Sequence, residues 1–397
     1  MNKTAIFNRP HVVIVGKVNA GKSVIFNKLL NQDAAIVSNA PGTTTDAVTK
    51  AMELLPFGPI ALIDTAGFLD DTILGREREA KSIKAIEKSN LLLFVEDVND
   101  IDDRMHSYME KIGNKYKIDI LHVLTKVDSL SEKELSDITD KYPNSSLFSN
   151  RSESYVEKLM TTIATRLEAI TNETEIKSIN SIVSRGEFLL MVTPIDSEAP
   201  KGRLITPQVQ LIRDCLDNGI MTVVVRPDEL QSAIDSISKI ALVVTDSQAF
   251  SEVSNILGDE VPLTSFSIIQ SWQRGNFKVL LDGANALDNL KDNSRILIAE
   301  SCTHNTSHED IGRVKIPSLL TNKLKMTFNF DFTAGHDFPI DVNMYDLVIH
   351  CGGCMMNKKS MLTRIDRCTD CNVPISNYGM VLAKLNGILD RCSEMFI

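Results

Sequence analysis

The chain alternates short apolar runs with longer stretches of helical periodicity. Residues 11–15 form a continuous apolar run that stops at Gly16, and a helical apolar pattern starts near Lys22 and continues to Leu30. Strand, glycine-bearing loop and helix therefore follow one another at the N-terminal end. Further runs at 60–63, 91–95 and 120–124 read as buried strands, separated by helical patterns such as 77–88, and a helix over 155–170 closes the series. Residues 1–172 thus predict a doubly wound α/β domain.

The polar stretch 171–184 reads as a linker. A second alternation follows, with strands at 188–192, 221–225 and 241–245 and helices over 207–216 and 229–238. This segment, 185–260, predicts a small parallel sheet. It carries no glycine-rich phosphate loop, no clustered His or Cys and no acid/base pair, which points to an interaction or dimerisation module, with substrate binding as the alternative. Strands at 295–299, 325–331, 347–349 and 373–375 predict a third α/β domain over 262–397.

Length agrees with this division, because 397 residues exceed one ordinary core. A net charge of -10 argues against a nucleic-acid binder. The N-terminus lacks a basic region followed by an apolar stretch, and no run of about 18 apolar residues occurs, so the expectation is a cytoplasmic protein without a membrane span. Seven cysteines in a chain of that compartment do not predict a disulfide framework. Cys215 stands alone, whereas Cys302, Cys351, Cys354, Cys368, Cys371 and Cys392 crowd the last quarter, which raises the question of metal.

Gly16-Lys17-Val18-Asn19-Ala20-Gly21-Lys22-Ser23 fits G-x-x-x-x-G-K-[ST] in the strand-loop-helix context that a phosphate loop needs. Its backbone N–H groups are suited to surround a β-phosphate, Lys22 to neutralise β- and γ-oxygens, and Ser23 to bind Mg2+. Asp64-Thr65-Ala66-Gly67 follows the next strand, where an acid can hold Mg2+ and a glycine N–H can meet the γ-phosphate. After the strand at 120–124, Thr125-Lys126-Val127-Asp128 offers a carboxylate for the two N–H donors of guanine and a lysine to pack on the base. GTP is therefore the expected nucleotide. The set resembles the translation-factor-like GTPases, whose last motif begins with Asn, so Thr125 departs from the pattern and predicts weaker guanine binding. The fifth guanine motif is faintly visible around Ser149 and Asn150. The resemblance implies Thr44 in the first switch as a second hydroxyl ligand of Mg2+, and Asn19 as a ligand of K+. Phe68 follows Gly67, so the water-orienting glutamine of Ras-like enzymes is missing, and K+-stimulated hydrolysis is expected.

Cys302-Thr303-His304 and His350-Cys351-Gly352-Gly353-Cys354 each follow a predicted strand, and carboxyl ends of strands form the ligand crevice of open α/β sheets. Soft thiolates select zinc, copper(I) or iron-sulfur clusters, and three cysteines from two loops suit a 4Fe-4S cluster with one iron left open. His304 and His350 are candidates for that fourth position or for hydrogen-bonding support of the ligands. Cys368 and Cys371, with Cys351 and Cys354, have a spacing close to four-cysteine zinc sites, but free thiols are the plainer reading, and Cys392 likewise. His11, His106, His122, His308 and His336 show no ligand spacing and read as ordinary residues.

The C-x-H and H-C-x-x-C pair resembles the cluster-binding signature of the HydF family of FeFe-hydrogenase maturation proteins. The stretches 194–203, 244–250 and 310–317 resemble that family too, and the likeness runs over the whole chain. It implies a GTPase domain, a dimerisation domain and an iron-sulfur domain in that order. It further implies a homodimeric carrier that receives a diiron precursor made with two radical-SAM maturases and delivers it to apo FeFe-hydrogenase. Two rivals remain: a regulatory GTPase with a structural zinc domain acting on RNA or ribosomes, and a metalloenzyme with redox or radical chemistry of its own. Against the last, the C-x-x-x-C-x-x-C run of radical-SAM enzymes is absent.

Overall fold

The computed structural model describes residues 9–30, 48–65, 81–172, 177–195, 204–274, 276–301, 311–335, 337–353 and 356–397. Two compact units emerge, one of residues up to 175 with 356–363, the other of 176–355 with 364–397.

The first unit is built on a six-stranded sheet in the order β2-β3-β1-β4-β5-β6. Its strands are β1 (His11–Gly16), β2 (Val48–Leu54), β3 (Gly58–Asp64), β4 (Leu91–Asp97), β5 (Asp119–Thr125) and β6 (Ser146–Phe148). All pairings are parallel except β2 with β3. Every residue of β1 is buried, as expected where helices cover both faces of a parallel sheet. Val12, Ile14, Leu91, Leu93 and Val95 pack against Ile25 and Leu29 of helix Lys22–Leu30 and against Leu159 and Ile163 of helix Glu153–Asn172. Val13, Val15, Leu92 and Phe94 point the other way, onto Met105, Met109 and Ile112 of helix Asp103–Tyr116. Each side chain buried to this degree stabilises the fold by about 1.5–3 kcal/mol. Asp102 starts that helix by accepting from the Arg104 N–H, and Lys117, at φ 51°, ends it. Of the helix expected over 77–88, residues 81–86 are helical and 77–80 lie outside the described residues.

The second unit holds two four-stranded sheets, both parallel throughout. One has the order β10-β9-β7-β8, from β7 (Phe188–Val192), β8 (Met221–Val225), β9 (Ile240–Thr245) and β10 (Leu263–Ser265). The other has the order β12-β11-β13-β14, from β11 (Arg295–Ala299), β12 (Asn329–Thr333), β13 (Leu347–His350) and β14 (Ile375–Asn377). β10 lies beyond Pro262 yet pairs with β9, so the second sheet reaches past the point where apolar patterning suggests a boundary. The two sheets share packing: buried Thr264 donates to the Cys392 carbonyl, and Phe396 meets both Trp272 and Phe277. Among the described residues no helix is long and apolar enough to cross a membrane.

Candidate functional site

The phosphate loop leaves β1 at the switch point of the first sheet, where β1 lies between β3 and β4 and the strand order reverses. Gly16 has φ 152°, and a Cβ there would lie 2.1 Å from the Val95 carbonyl oxygen, so only glycine fits. Asn19 adopts φ 64°, a left-handed conformation that asparagine tolerates better than most residues. Val18 is exposed and Ala20 buried. Gly21, at φ 98°, faces Thr125, with a Cβ position only 3.3 Å from its methyl carbon. Lys22 Nζ bonds the carbonyls of Gly16 at 3.1 Å and Lys17 at 2.6 Å, which closes the loop around an ammonium group.

Ser23 donates to Asp64 Oδ2 over 3.0 Å. The other oxygen, Asp64 Oδ1, is buried and has no hydrogen-bond partner among the described residues. Burial pushes the Asp64 carboxyl up, against Ser23 and Lys22, and pushes the Lys22 ammonium down, against Asp64. Two desolvated, incompletely paired charges beside a ring of loop N–H groups suit a cation and a polyanion arriving together. Ser23 and Asp64 therefore fit Mg2+ by donor chemistry, hydroxyl and carboxylate oxygen. Thr44 and Gly67 lie outside the described residues.

The residues expected to recognise the base stand at and just after the end of β5. Thr125 is buried, and its hydroxyl reaches the Ala20 carbonyl at 2.7 Å and the Glu96 carbonyl at 3.0 Å. The departure from Asn thus keeps a tie between this motif and the phosphate loop. Lys126, at φ 60°, pairs with Asp97 at 2.5 Å. Asp128 accepts from Ser149 at 2.9 Å and pairs with Arg151 at 3.0 Å. Ser149, around which the faint fifth motif falls, thus stands beside Asp128, and Arg151 next to it gives no sequence signal of its own.

In the second unit the register Ala299↔His350 brings the ends of β11 and β13 together. Ser301, the residue before Cys302, presents both its N–H, at 3.0 Å, and its hydroxyl, at 2.8 Å, to Cys351 Sγ. Cys351 N–H in turn donates to Ala299. Gly353 has φ 67°, and Arg274 donates to the carbonyls of Gly352 and Gly353 at 3.4 and 3.3 Å. A backbone N–H and a hydroxyl set against one sulfur, in a loop of glycine backbone, fit a cysteine that ligates a metal or cluster. Cys302, His304 and Cys354 lie outside the described residues.

His350 is fully buried and both ring nitrogens are engaged. Nδ1 contacts the Cys351 carbonyl at 2.7 Å, and Arg364 donates to Nε2 at 2.8 Å. Burial, reinforced by the Arg364 charge, pulls its pKa down to about 3, so the ring is neutral. In this arrangement His350 braces the loop rather than offering a ligand nitrogen. Cys368 and Cys392 are buried and Cys371 half-buried, and all three are free. Among the described residues Cys351, Cys368 and Cys371 form no ligand cluster. Instead His106 and His122, which have no ligand spacing in sequence, meet at Glu96.

Comparison with known families follows this layout. Residues 178–275 match the family described as "Hydrogen maturase F dimerization domain", and 278–395 the "Hydrogen maturase F tetramerization domain". The chain belongs to the HydF family. Residues 11–126 match the family described as "50S ribosome-binding GTPase", so HydF here begins with a GTPase domain. The tRNA modification GTPase MnmE of Thermotoga petrophila is 35% identical over 128 residues, 31% of this chain and 28% of that protein. GTPase Der of Kosmotoga olearia is 26% identical over 211 residues, 49% of this chain and 46% of that protein. The chain spans between 28% and 46% of the length of these relatives. The solved G domain of the T. maritima FeoB iron transporter is 20% identical, with a TM-score of 0.31, covering 40% of this chain and 98% of that one. The HydF models name a tetramer-forming as well as a dimer-forming domain, which extends the expectation of a dimer alone.

Proposed function

We propose that this protein is a cytoplasmic GTPase scaffold that holds a 4Fe-4S cluster on Cys302, Cys351 and Cys354. It receives a diiron precursor from two radical-SAM maturases and passes it to apo FeFe-hydrogenase. The observation that supports this reading best is the meeting of Ser301 with Cys351, which puts the neighbour of Cys302 against the sulfur of Cys351. A three-thiolate set supplies a cluster with one exchangeable iron position, the property a carrier needs. His304 is the candidate for that position, and His350 supports the loop through its two hydrogen bonds.

GTP binds at the loop Gly16 to Ser23 with Asp64, Gly67, Thr125, Lys126 and Asp128, and Ser23 and Thr44 hold Mg2+. Binding and hydrolysis of GTP regulate association with the partner proteins. Asn19 provides a ligand for K+, which takes the place of an arginine finger, and equal GTPase rates in Na+ and K+ buffers would remove this part of the reading.

The decisive experiment is iron, sulfide and zinc analysis with EPR of the reduced, anaerobically purified protein, in wild type and Cys302→Ser. About four irons and four sulfides are expected, with a signal lost or altered in the variant. Thiolate-bound zinc without iron overturns the scaffold and favours a regulatory GTPase with a structural zinc domain. Transfer is read as activation of apo-hydrogenase by the precursor-loaded protein.

A further inference from the structure

We propose that Glu96, His106 and His122 form a binding site for a zinc-class divalent cation inside the GTPase domain, separate from both the nucleotide and the cysteine sites. Glu96 stands near the carboxyl end of β4 with its side chain wholly buried, His122 lies on neighbouring β5, and His106 comes from the first turns of helix Asp103–Tyr116. The pairing Phe94↔His122 sets the two strands so that Glu96 and His122 share a face. Glu96 Oε2 lies 2.6 Å from His106 Nε2 and 2.8 Å from His122 Nε2, and the candidate ligand atoms all fall within 4.8 Å of one another.

A hydrogen-bonded trio without an ion explains this cluster only in part. One carboxylate oxygen would have to receive both imidazoles, and the 2.6 Å approach of His106 lacks hydrogen-bond geometry, leaving its buried Nε2 without a hydrogen-bond partner among the described residues. An ion among the three atoms removes that deficit, because each nitrogen then offers a lone pair. Ligand distances of about 2.0–2.2 Å require only that the oxygen and nitrogens move apart by several tenths of an ångström.

The surroundings hold the rings for that purpose. His122 stacks on Phe94 with the planes 20° apart, His106 stacks on Tyr142 at 25°, and the two imidazoles stand nearly perpendicular at 85°. Glu96 Oε1 is fixed separately by the Asp102 N–H at 3.2 Å. Two imidazoles and one carboxylate prefer zinc and its neighbours over magnesium, which demands oxygen ligands. His106 keeps about a quarter of its side chain exposed, so the trio lies close beneath the surface although its ligand atoms are buried.

The test uses Co2+ as a probe on the full-length protein with its cluster reconstituted anaerobically. One equivalent is expected to bind with d–d absorption and no sulfur-to-cobalt charge transfer, and Zn2+ should displace it. The signal should persist in the Cys302→Ser, Cys351→Ser, Cys354→Ser triple variant, and binding should weaken at least about tenfold in Glu96→Gln and in His106→Gln, a single change at a partly exposed position. Glu96→Gln keeps the shape and an oxygen for the Asp102 N–H, and its thermal transition reports whether the fold persists. Binding that is absent in wild type, carries sulfur charge transfer, or is undiminished in both variants overturns the site.

Discussion

The Thr125 hydroxyl donates to the Ala20 carbonyl across 105 residues of chain, and so joins the end of β5 to the phosphate loop. The bond is buried, with the Glu96 carbonyl as a second, longer acceptor. Thr125→Val keeps the shape and removes the donor, which leaves a buried carbonyl short of a partner at a cost of about 1–3 kcal/mol. The expected result is a lower denaturation midpoint and a GTP affinity reduced by about tenfold, equivalent to ~1.4 kcal/mol. Thr125→Asn restores a donor and the expected motif residue, and should bind GTP at least as tightly as wild type in nucleotide titrations.

The proposed reading of the base by Asp128 requires its carboxylate to be held in place, and Ser149 and Arg151 hold it. A carboxylate accepts two N–H donors of guanine, whereas xanthine presents a carbonyl where guanine carries its amino group. Asp128→Asn should therefore lose guanine nucleotides and gain xanthine nucleotides. Ser149→Ala should weaken GTP without gaining xanthine binding, because it removes support and leaves the acceptor. Competition binding of the two nucleotides separates these outcomes.

The phosphate loop was legible in sequence because its strand, loop and helix are contiguous and each step has local chemistry. The buried central strands were legible for the same reason: apolar runs such as 91–95 allow few other readings. Edge strands were not. β12 falls at 329–333 rather than 325–331 because Lys325, at φ 54°, still ends the preceding helix and the strand is only half-buried. β14 begins at Ile375 because the Val373 N–H is still bonded to Cys368 in the helical turn before it. β2 and β6 were missed because they lie at the sheet edges, one of them antiparallel and the other three residues long. The trio Glu96, His106 and His122 gave no signal, since only strand pairing and helix packing bring it together.

β8 is an edge of its sheet and exposes Met221 and Val224, each 42% accessible. It lies in the segment matching the HydF dimerization domain. An apolar edge of this kind pairs readily with another copy, and a charge placed on it opposes pairing. Val224→Lys should lower the mass seen by light scattering at micromolar concentration, with the fold unchanged by circular dichroism.

Ser301 and Arg274 should tune the proposed metal centre without building it. Ser301→Ala removes one of two donors to the Cys351 sulfur and leaves the backbone N–H. Fewer hydrogen bonds to a ligand sulfur lower a cluster's reduction potential by destabilising the more negative reduced state. Iron content should stay near wild type while the midpoint falls and the EPR line shape changes. Arg274→Ala frees the Gly352 and Gly353 carbonyls and removes a positive charge, so the same direction of shift is expected.

Cys368 and Cys392 bear on whether the C-terminal cysteines take part in metal chemistry. Burial pushes both thiols up to about 12, and both are fully enclosed in the fold. At pH 8 the thiolate fraction is then on the order of one part in ten thousand, against about a quarter for an ordinary cysteine. Since the thiolate is the nucleophile, the alkylation rate of the folded protein should rise about tenfold per pH unit from pH 7 to 10, where an ordinary thiol levels off above its pKa. Timed iodoacetamide labelling with peptide mass analysis should show half-buried Cys371 modified first and Cys368 and Cys392 last. Fast labelling of Cys368 at neutral pH would show an accessible thiolate there and return Cys368 and Cys371 to the list of candidate metal ligands.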